Sequence, residues 1–136
     1  KIRTASFFLA LCLLAACSAD STTQGASSTS GGETSVAGEV APSHGARLFG
    51  VYVVVASPGA PELEAAAAPL RDRGIMLSVG ELACDTGAAE ALAAAPDAHA
   101  VSVMFATREA ADAFAQSLQS PPAGIAEIKS AAQTDR

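Results

Sequence analysis

The sequence predicts a small α+β domain over residues 47–136, because segments typical of strands and of helices alternate through this part of the chain. Residues 48–56 read Leu-Phe-Gly-Val-Tyr-Val-Val-Val-Ala, and β-branched and aromatic residues of this kind favour a strand. Residues 107–121 instead repeat apolar side chains at helical spacing. Proline and glycine mark the ends of these segments, as expected for turns between elements.

The first half of the domain has the pattern strand, helix, strand. The strand over residues 48–56 is apolar on both faces and is therefore expected in the centre of a sheet. Pro61 suits the first position of a helix. The buried stripe of that helix is expected to hold Leu63, Ala66, Ala67 and Leu70. Pro69 should kink or end the helix, and Gly74 suits its end. A second strand is expected over residues 75–79, with Ala83 as an alternative end.

The second half repeats this pattern after a short insertion. Asp85 or Thr86 can cap a short alanine-rich helix over residues 87–95, which Pro96 ends. A third strand is predicted over residues 99–106. Thr107 is placed to cap the next helix, and a final strand is predicted over residues 124–129. The buried stripe of the last helix should be Ala111, Phe114, Ala115 and Leu118.

Without the short helix, this order is the βαββαβ pattern of ferredoxin-like domains, with two main helices on one face of a four-stranded antiparallel sheet. Right-handed crossovers place the first and third strands side by side in the centre. A three-layer α/β domain with parallel strands is the alternative. If helices cover only one face, the other is open and available for pairing with a second copy. That predicted interaction face comprises Tyr52, Val54, Ser102 and Met104.

The first sixteen residues have the features of an export signal. Lys1 and Arg3 precede an apolar run over residues 7–16, which is shorter than the roughly 20 residues that a helix needs to span a bilayer. The run ends in Leu14-Ala15-Ala16-Cys17, which resembles the lipobox of bacterial lipoproteins. This resemblance implies cleavage before Cys17, with diacylglycerol on its thiol and a fatty acid such as palmitate on its amino group. Ser18 after the cysteine then favours the outer membrane, facing the periplasm.

Residues 17–46 are predicted to be a disordered tether that follows the lipidated cysteine. Serine, threonine, glycine and alanine dominate this segment, and large apolar side chains are nearly absent, so it cannot bury enough surface to offset its ordering entropy. A flexible coil of this length has an end-to-end distance of roughly 30 Å. Such a tether would hold the domain away from a membrane surface and let it search for partners.

The three cysteines are expected to have different fates. Cys12 leaves with the signal, Cys17 carries the lipid, and Cys84 remains as a buried thiol with no intramolecular partner. The alternatives to burial are an intermolecular disulfide and, after it, a reactive nucleophile. Cys84 also lies in the one stretch dense in polar groups, where Glu81 or Asp85 could serve as general acid or base if partly buried. A small periplasmic enzyme is therefore one alternative function.

The remaining composition argues against several classes of function. Fourteen acidic residues against eight basic ones give a net charge of -6, and no basic stripe indicates a nucleic-acid partner. Neither a spaced set of metal ligands nor a phosphate-binding loop is present in the sequence, so no cofactor is expected. The function expected is therefore that of a lipid-anchored binding or scaffolding module of the cell envelope, held at the membrane through Cys17.

A second resemblance concerns residues 101–111, Val-Ser-Val-Met-Phe-Ala-Thr-Arg-Glu-Ala-Ala, in which a strand leads into a capped helix. This stretch is similar to the second half of SPOR domains. The resemblance implies a ferredoxin-like domain of the periplasm that binds peptidoglycan strands lacking stem peptides. Met104 stands where that pattern prefers glycine, and the first strand lacks the glutamine and glycine of the family.

Overall fold

The structure is a computed structural model that describes residues 38–130. Within these residues, five strands alternate with three α-helices, and one turn of 3₁₀ helix covers Leu82–Cys84. The strands are β1 (Arg47–Ala56), β2 (Ser78–Glu81), β3 (Asp85–Thr86), β4 (His99–Phe105) and β5 (Gly124–Ser130). The helices are α1 (Pro61–Asp72), α2 (Ala88–Ala91) and α3 (Arg108–Ser117).

All five strands form one antiparallel sheet in the order β2-β4-β1-β5-β3. The predicted α+β class is confirmed, and so is the pairing of the first long strand with the third. The parallel α/β alternative is wrong, since every neighbouring pair runs antiparallel. The predicted count of four strands is also wrong, because the two-residue strand β3 adds to the outer side of β5. Asp85 and Thr86 therefore extend the sheet and do not cap α2, whose first turn is preceded by Gly87.

The sheet is curled, and the length of the chain between its two edge strands requires this. In a flat sheet, strands spaced about 4.8 Å apart would place β2 and β3 about 19 Å from each other. Glu81 ends β2 and Asp85 begins β3. The backbone between them spans at most about 14 Å, even when fully extended. The sheet therefore bends to bring its edges together, which creates a convex and a concave face.

The convex face carries α1 and α3, as the apolar spacing predicts. Side chains of both helices pack on the central strands, and the rings of Phe105 and Phe114 lie with their centroids 5.2 Å apart. Thr107 caps α3 as expected, because its Oγ1 accepts a hydrogen bond from the Ala110 N–H at 3.3 Å. Pro69 does not end α1, which continues to Asp72. The buried helical residues of this layer are Leu63, Ala67, Leu70, Ala111 and Phe114.

The concave face is covered, and the prediction of an open face is wrong. Residues 82–98, named here the cover loop, fold across it, with Leu82 and Ala88 buried against the sheet. The predicted interaction residues Tyr52, Ser102 and Met104 are consequently only 1%, 3% and 2% exposed. Pairing with a second copy through this face is therefore excluded as long as the loop is in place. Small side chains on the face, including Gly50, Ala100 and Ala126, let the loop approach closely.

The prediction that Val54 shares a face with Tyr52 is wrong, because β1 contains a bulge between these two residues. The register against β4 shifts between Tyr52 and Val54, so Val53 is the extra residue. A bulge of this kind reverses the alternation of side chains beyond it. Val54 accordingly packs with the helices on the convex face, whereas Val55 joins Tyr52 on the concave face.

Residues 38–46, at the end of the predicted tether, contact the domain. Glu39 forms a bridge with Phe105, and the Val40 N–H donates to the Met104 carbonyl at 2.9 Å. Further along, the Gly45 N–H donates to the Ser130 carbonyl at 2.8 Å. The predicted boundary at residue 47 therefore lies inside the packed unit. The predicted signal segment, Cys17 and the start of the tether lie outside the described residues.

Candidate functional site

A buried hydrogen bond joins the centre of the sheet to the cover loop. The Tyr52 hydroxyl on β1 donates to Oδ2 of Asp85 on β3 at 2.9 Å. The two residues are far apart in the sequence, and strand β5 separates β1 from β3 in the sheet. The tyrosine side chain therefore reaches across a neighbouring strand to meet the loop. Of the polar side-chain pairs described, this is the most deeply placed one, and it defines the candidate site.

Gly50 makes the reach of Tyr52 possible. The two residues lie on the same face of β1, and a Cβ atom at Gly50 would sit 2.8 Å from Cε2 of the Tyr52 ring and 3.1 Å from its hydroxyl. Contacts this short are below van der Waals separation, so any side chain at this position would displace the ring. The glycine thus leaves the space in which the ring lies, with its hydroxyl directed to Asp85.

Burial shifts the ionisation of both partners. It raises the pKa of Tyr52, and the nearby Asp85 carboxylate raises this pKa further. Burial also raises the pKa of Asp85 above its ordinary value, although the hydrogen bond from Tyr52 partly opposes this shift. Tyr52 is therefore a neutral donor at physiological pH. The Asp85 carboxyl is a group whose charge is costly in its present surroundings.

Glu81 does not join this site. It ends β2 and is the register partner of His99 at the start of β4, with its Oε1 3.8 Å from the His99 Nε2. Among the described residues, no hydrogen bond or ion pair connects Glu81 to Asp85. The sequence placed these two carboxylates in one acid-base hypothesis, whereas the structure gives each a different partner.

Two backbone hydrogen bonds close the base of the cover loop, next to the ends of β2 and β4. Leu82 N–H donates to the Ala98 carbonyl at 2.9 Å, and Ala83 N–H donates to the Pro96 carbonyl at 3.0 Å. The loop therefore leaves β2 and enters β4 at adjacent points, as in an Ω-loop. Beyond this base, the loop is held by apolar packing, by β3 pairing with β5, and by the Tyr52–Asp85 hydrogen bond.

Cys84 differs from its sequence-based prediction. It is half-buried in the 3₁₀ turn next to Asp85, and it is disulfide-bonded. The prediction of a thiol without an intramolecular partner is therefore wrong for this structure. A sulfur held in a disulfide is also no thiolate nucleophile.

Other surface features are simpler. Within residues 38–130, no group of three or more histidine, cysteine or acidic side chains is arranged to hold a metal ion. A shallow groove of about 500 Å³ lies beside the end of α3, with Asp112, Gln116 and Leu118 among its lining residues. Two apolar side chains are exposed at the edge strand β2: Val79 lies in the strand and is 42% exposed, and Met76 lies just before it and is 46% exposed. For the part of the chain that is described, no helix is both long and apolar enough to cross a bilayer.

Comparison with protein families, curated proteins and solved structures finds no match to this chain. The sequence alone identified Asp85 as a candidate but gave it no partner. The available signal was the Gly50-Val51-Tyr52 triplet, because a glycine and an aromatic residue two positions apart share a face of a strand. Assigning the partner also required knowledge that the sheet curls.

Proposed function

We propose that this protein is a lipid-anchored lipoprotein of the bacterial cell envelope, whose small domain acts as a binding or scaffolding module. The observation that carries the proposal is the sequence Leu14-Ala15-Ala16-Cys17 at the end of a short apolar run. Two or more acyl chains on Cys17 would anchor the chain far more firmly than one, since each buried methylene contributes about 0.8 kcal/mol. The expected place is the outer membrane, with the domain facing the periplasm.

We infer that the domain is a modified ferredoxin-like fold. The order β2-β4-β1-β5, with α1 and α3 on one face, supports this inference. Two additions distinguish it: the short strand β3 on the outer side of β5, and the cover loop over the concave face. The module proposed here would accordingly meet its partner through its outer surface, because both faces of its sheet are packed.

Lipid attachment is tested by expressing the full chain in a bacterial host with labelled palmitate. We expect the label on the wild-type protein and its loss in Cys17→Ala. Cys12→Ala is the matched control, because it removes a thiol from the same apolar segment without touching the proposed acceptor. Label retained by Cys17→Ala, or a wild-type product released into the medium, overturns the proposal.

A second measurement on the same expressed protein determines which cysteine is lipidated and which is in a disulfide. A sulfur that carries diacylglycerol cannot also form a disulfide, and cleavage before Cys17 would remove Cys12. The structure with its Cys84 disulfide would therefore represent the precursor, whereas the lipidated form would have lost that bridge. Peptide mass spectrometry without reduction distinguishes them: diacylglycerol on Cys17 supports the proposal, whereas a peptide that joins Cys84 to Cys17 contradicts it.

The nature of the partner is tested with the detergent-solubilised full chain. The segment that resembles SPOR domains forms most of β4 and the capped start of α3, and this resemblance in sequence is the reason to test a peptidoglycan partner. Retention on purified peptidoglycan, and its increase after stem peptides are removed, would favour that partner. Absence of retention, together with proteins cross-linked to the domain in intact cells, would favour a protein partner and remove glycan binding.

A further inference from the structure

We propose that the cover loop is a flap hinged at its base, that the Tyr52–Asp85 hydrogen bond is a latch that helps to hold it closed, and that ionisation of the buried Asp85 carboxyl favours opening. The inference concerns residues 82–98 as the structure describes them, with Cys84 held in a disulfide. Its basis is the geometry of the loop, the placement of the two side chains and the elements that hold the loop down.

The hinge is defined by where the loop begins and ends. Its two ends leave neighbouring strands at the pair Glu81 and His99, and two backbone hydrogen bonds close the base just beyond this pair. A loop with adjacent ends can swing away from the sheet without breaking the pairing of β2 with β4. The β2–β4 ladder therefore stays in place while the rest of the loop moves.

Besides the disulfide of Cys84, few contacts hold the loop closed. Strand β3 pairs with β5 through two residues, Asp85 and Thr86. Apolar contact comes from Leu82, which lies at the hinge, and from small or half-buried side chains of and near α2. The one side-chain hydrogen bond described between the loop and the sheet is that from Tyr52 to Asp85. Regions held by so few contacts open with less free energy than the core does.

The latch is sensitive to charge because Asp85 has little compensation for ionisation. Burial is the largest influence on its pKa, which it raises, and the Tyr52 hydroxyl is its hydrogen-bond donor. Opening the loop would return Asp85 to water and to its ordinary pKa of about 3.9. The closed state therefore binds the proton more tightly than the open state does. It follows that closure is strongest at acid pH and weakens as the pH rises from about 4 through the raised pKa.

The other titratable groups near β3 do not explain the expected pH dependence of loop closure. Strand β5 carries Glu127 and Lys129, which are exposed and alternate with its buried residues. Helix α2 contributes Glu90, also exposed, and Cys84 in the 3₁₀ turn is held in a disulfide. On the N-terminal segment, His44 is exposed. Tyr52 stays protonated throughout, since its own pKa is raised.

Hydrogen exchange followed by mass spectrometry tests the latch on the full chain, with the redox state of Cys84 kept the same in all samples. After correction for intrinsic exchange chemistry, opening of residues 82–98 should increase as the pH rises from about 4 through the raised pKa of Asp85, and should then level off. The limit for one proton is about tenfold per pH unit. Opening of α3 should not change in parallel. Equal pH dependence in the loop and in α3 would overturn the proposal.

Two variants separate the charge from the hydrogen bond. Asp85→Asn keeps an acceptor oxygen but cannot ionise, so the pH dependence of loop opening should disappear. Glu90→Gln is the matched control on the same loop and should keep it. Tyr52→Phe removes the donor and should raise loop opening roughly 2- to 12-fold at low pH. Persistence of the pH dependence in Asp85→Asn refutes the latch.

A measurement on the wild type covers the case in which the variants do not fold. The carboxyl carbon of Asp85 can be titrated by NMR in isotopically labelled protein. A midpoint above the ordinary value of about 3.9 supports the latch, whereas a midpoint at or below that value overturns it.

Discussion

Substitution of Gly50 by alanine should destabilise the domain through Tyr52. The new Cβ atom would lie 2.8 Å from Cε2 and 3.1 Å from Cζ of the ring. Because Tyr52 is almost completely buried, its ring cannot move into solvent and must shift within the packed concave face. The shift displaces the hydroxyl from Asp85, so one substitution produces both crowding and a lost hydrogen bond.

The size of the effect follows from these two terms. Overpacking of a core by one methyl group costs about 1–3 kcal/mol, and loss of a hydrogen bond costs about 0.5–1.5 kcal/mol. Alanine also restricts the unfolded chain, which offsets about 0.4–1 kcal/mol. We therefore expect the free energy of unfolding to fall by about 0.5–4 kcal/mol. Urea denaturation of the full chain, followed by circular dichroism, measures this change.

Gly80→Ala provides the matched control. Gly80 also lies in a strand, but no atom lies within 4 Å of a Cβ built there. Its substitution should leave the free energy of unfolding unchanged or raise it by up to about 1 kcal/mol. In a Tyr52→Leu background, which lacks the aromatic ring, Gly50→Ala should lose most of its cost. Equal effects of Gly50→Ala and Gly80→Ala, or an unchanged cost in the Tyr52→Leu background, would refute the reasoning.

Two further substitutions test the convex layer by the same denaturation assay. Phe114→Ala should lower the free energy of unfolding by about 3–5 kcal/mol, because the buried ring packs on Phe105. Gln116→Ala on the exposed side of α3 should change it by no more than about 0.5 kcal/mol, and similar results for both would mean that the helix face is misassigned. Thr107→Ala should cost about 1 kcal/mol by removing the acceptor for the Ala110 N–H, whereas Thr107→Ser should retain most of the stability.

The elements that depend on local pattern were predictable from the sequence. The strand over residues 48–56 and the helix that starts at Pro61 form close to their predicted bounds. The helix capped by Thr107 begins as predicted but ends at Ser117, so Leu118 lies beyond it and is only half-buried. Each combines a clear apolar period with a breaker or a capping residue at its end, and these are local properties. Pro69 is the exception, since tertiary packing of α1 outweighs the loss of one backbone donor.

The features that depend on distant parts of the chain were not predictable. Strand β3 has two residues and no periodicity, so its existence depends on the nearby edge of β5. The bulge at Val53 left no sequence signal and reversed the assignment of Val54. The concave face is covered by a loop rich in alanine, and alanine in a sequence indicates a helix and not a loop that covers a sheet. The pairing of Tyr52 with Asp85 results from all of these together.

The position of β1 in the sheet has a consequence for how the protein acquires its structure. The central strand is the first to be synthesised, yet its neighbours β4 and β5 both come from the later part of the domain. A nascent chain that ends before Gly124 lacks one of the two ladders that hold β1 in place. Contacts between such distant segments form slowly. The polypeptide is therefore expected to remain unfolded until strand β5 has emerged from the ribosome.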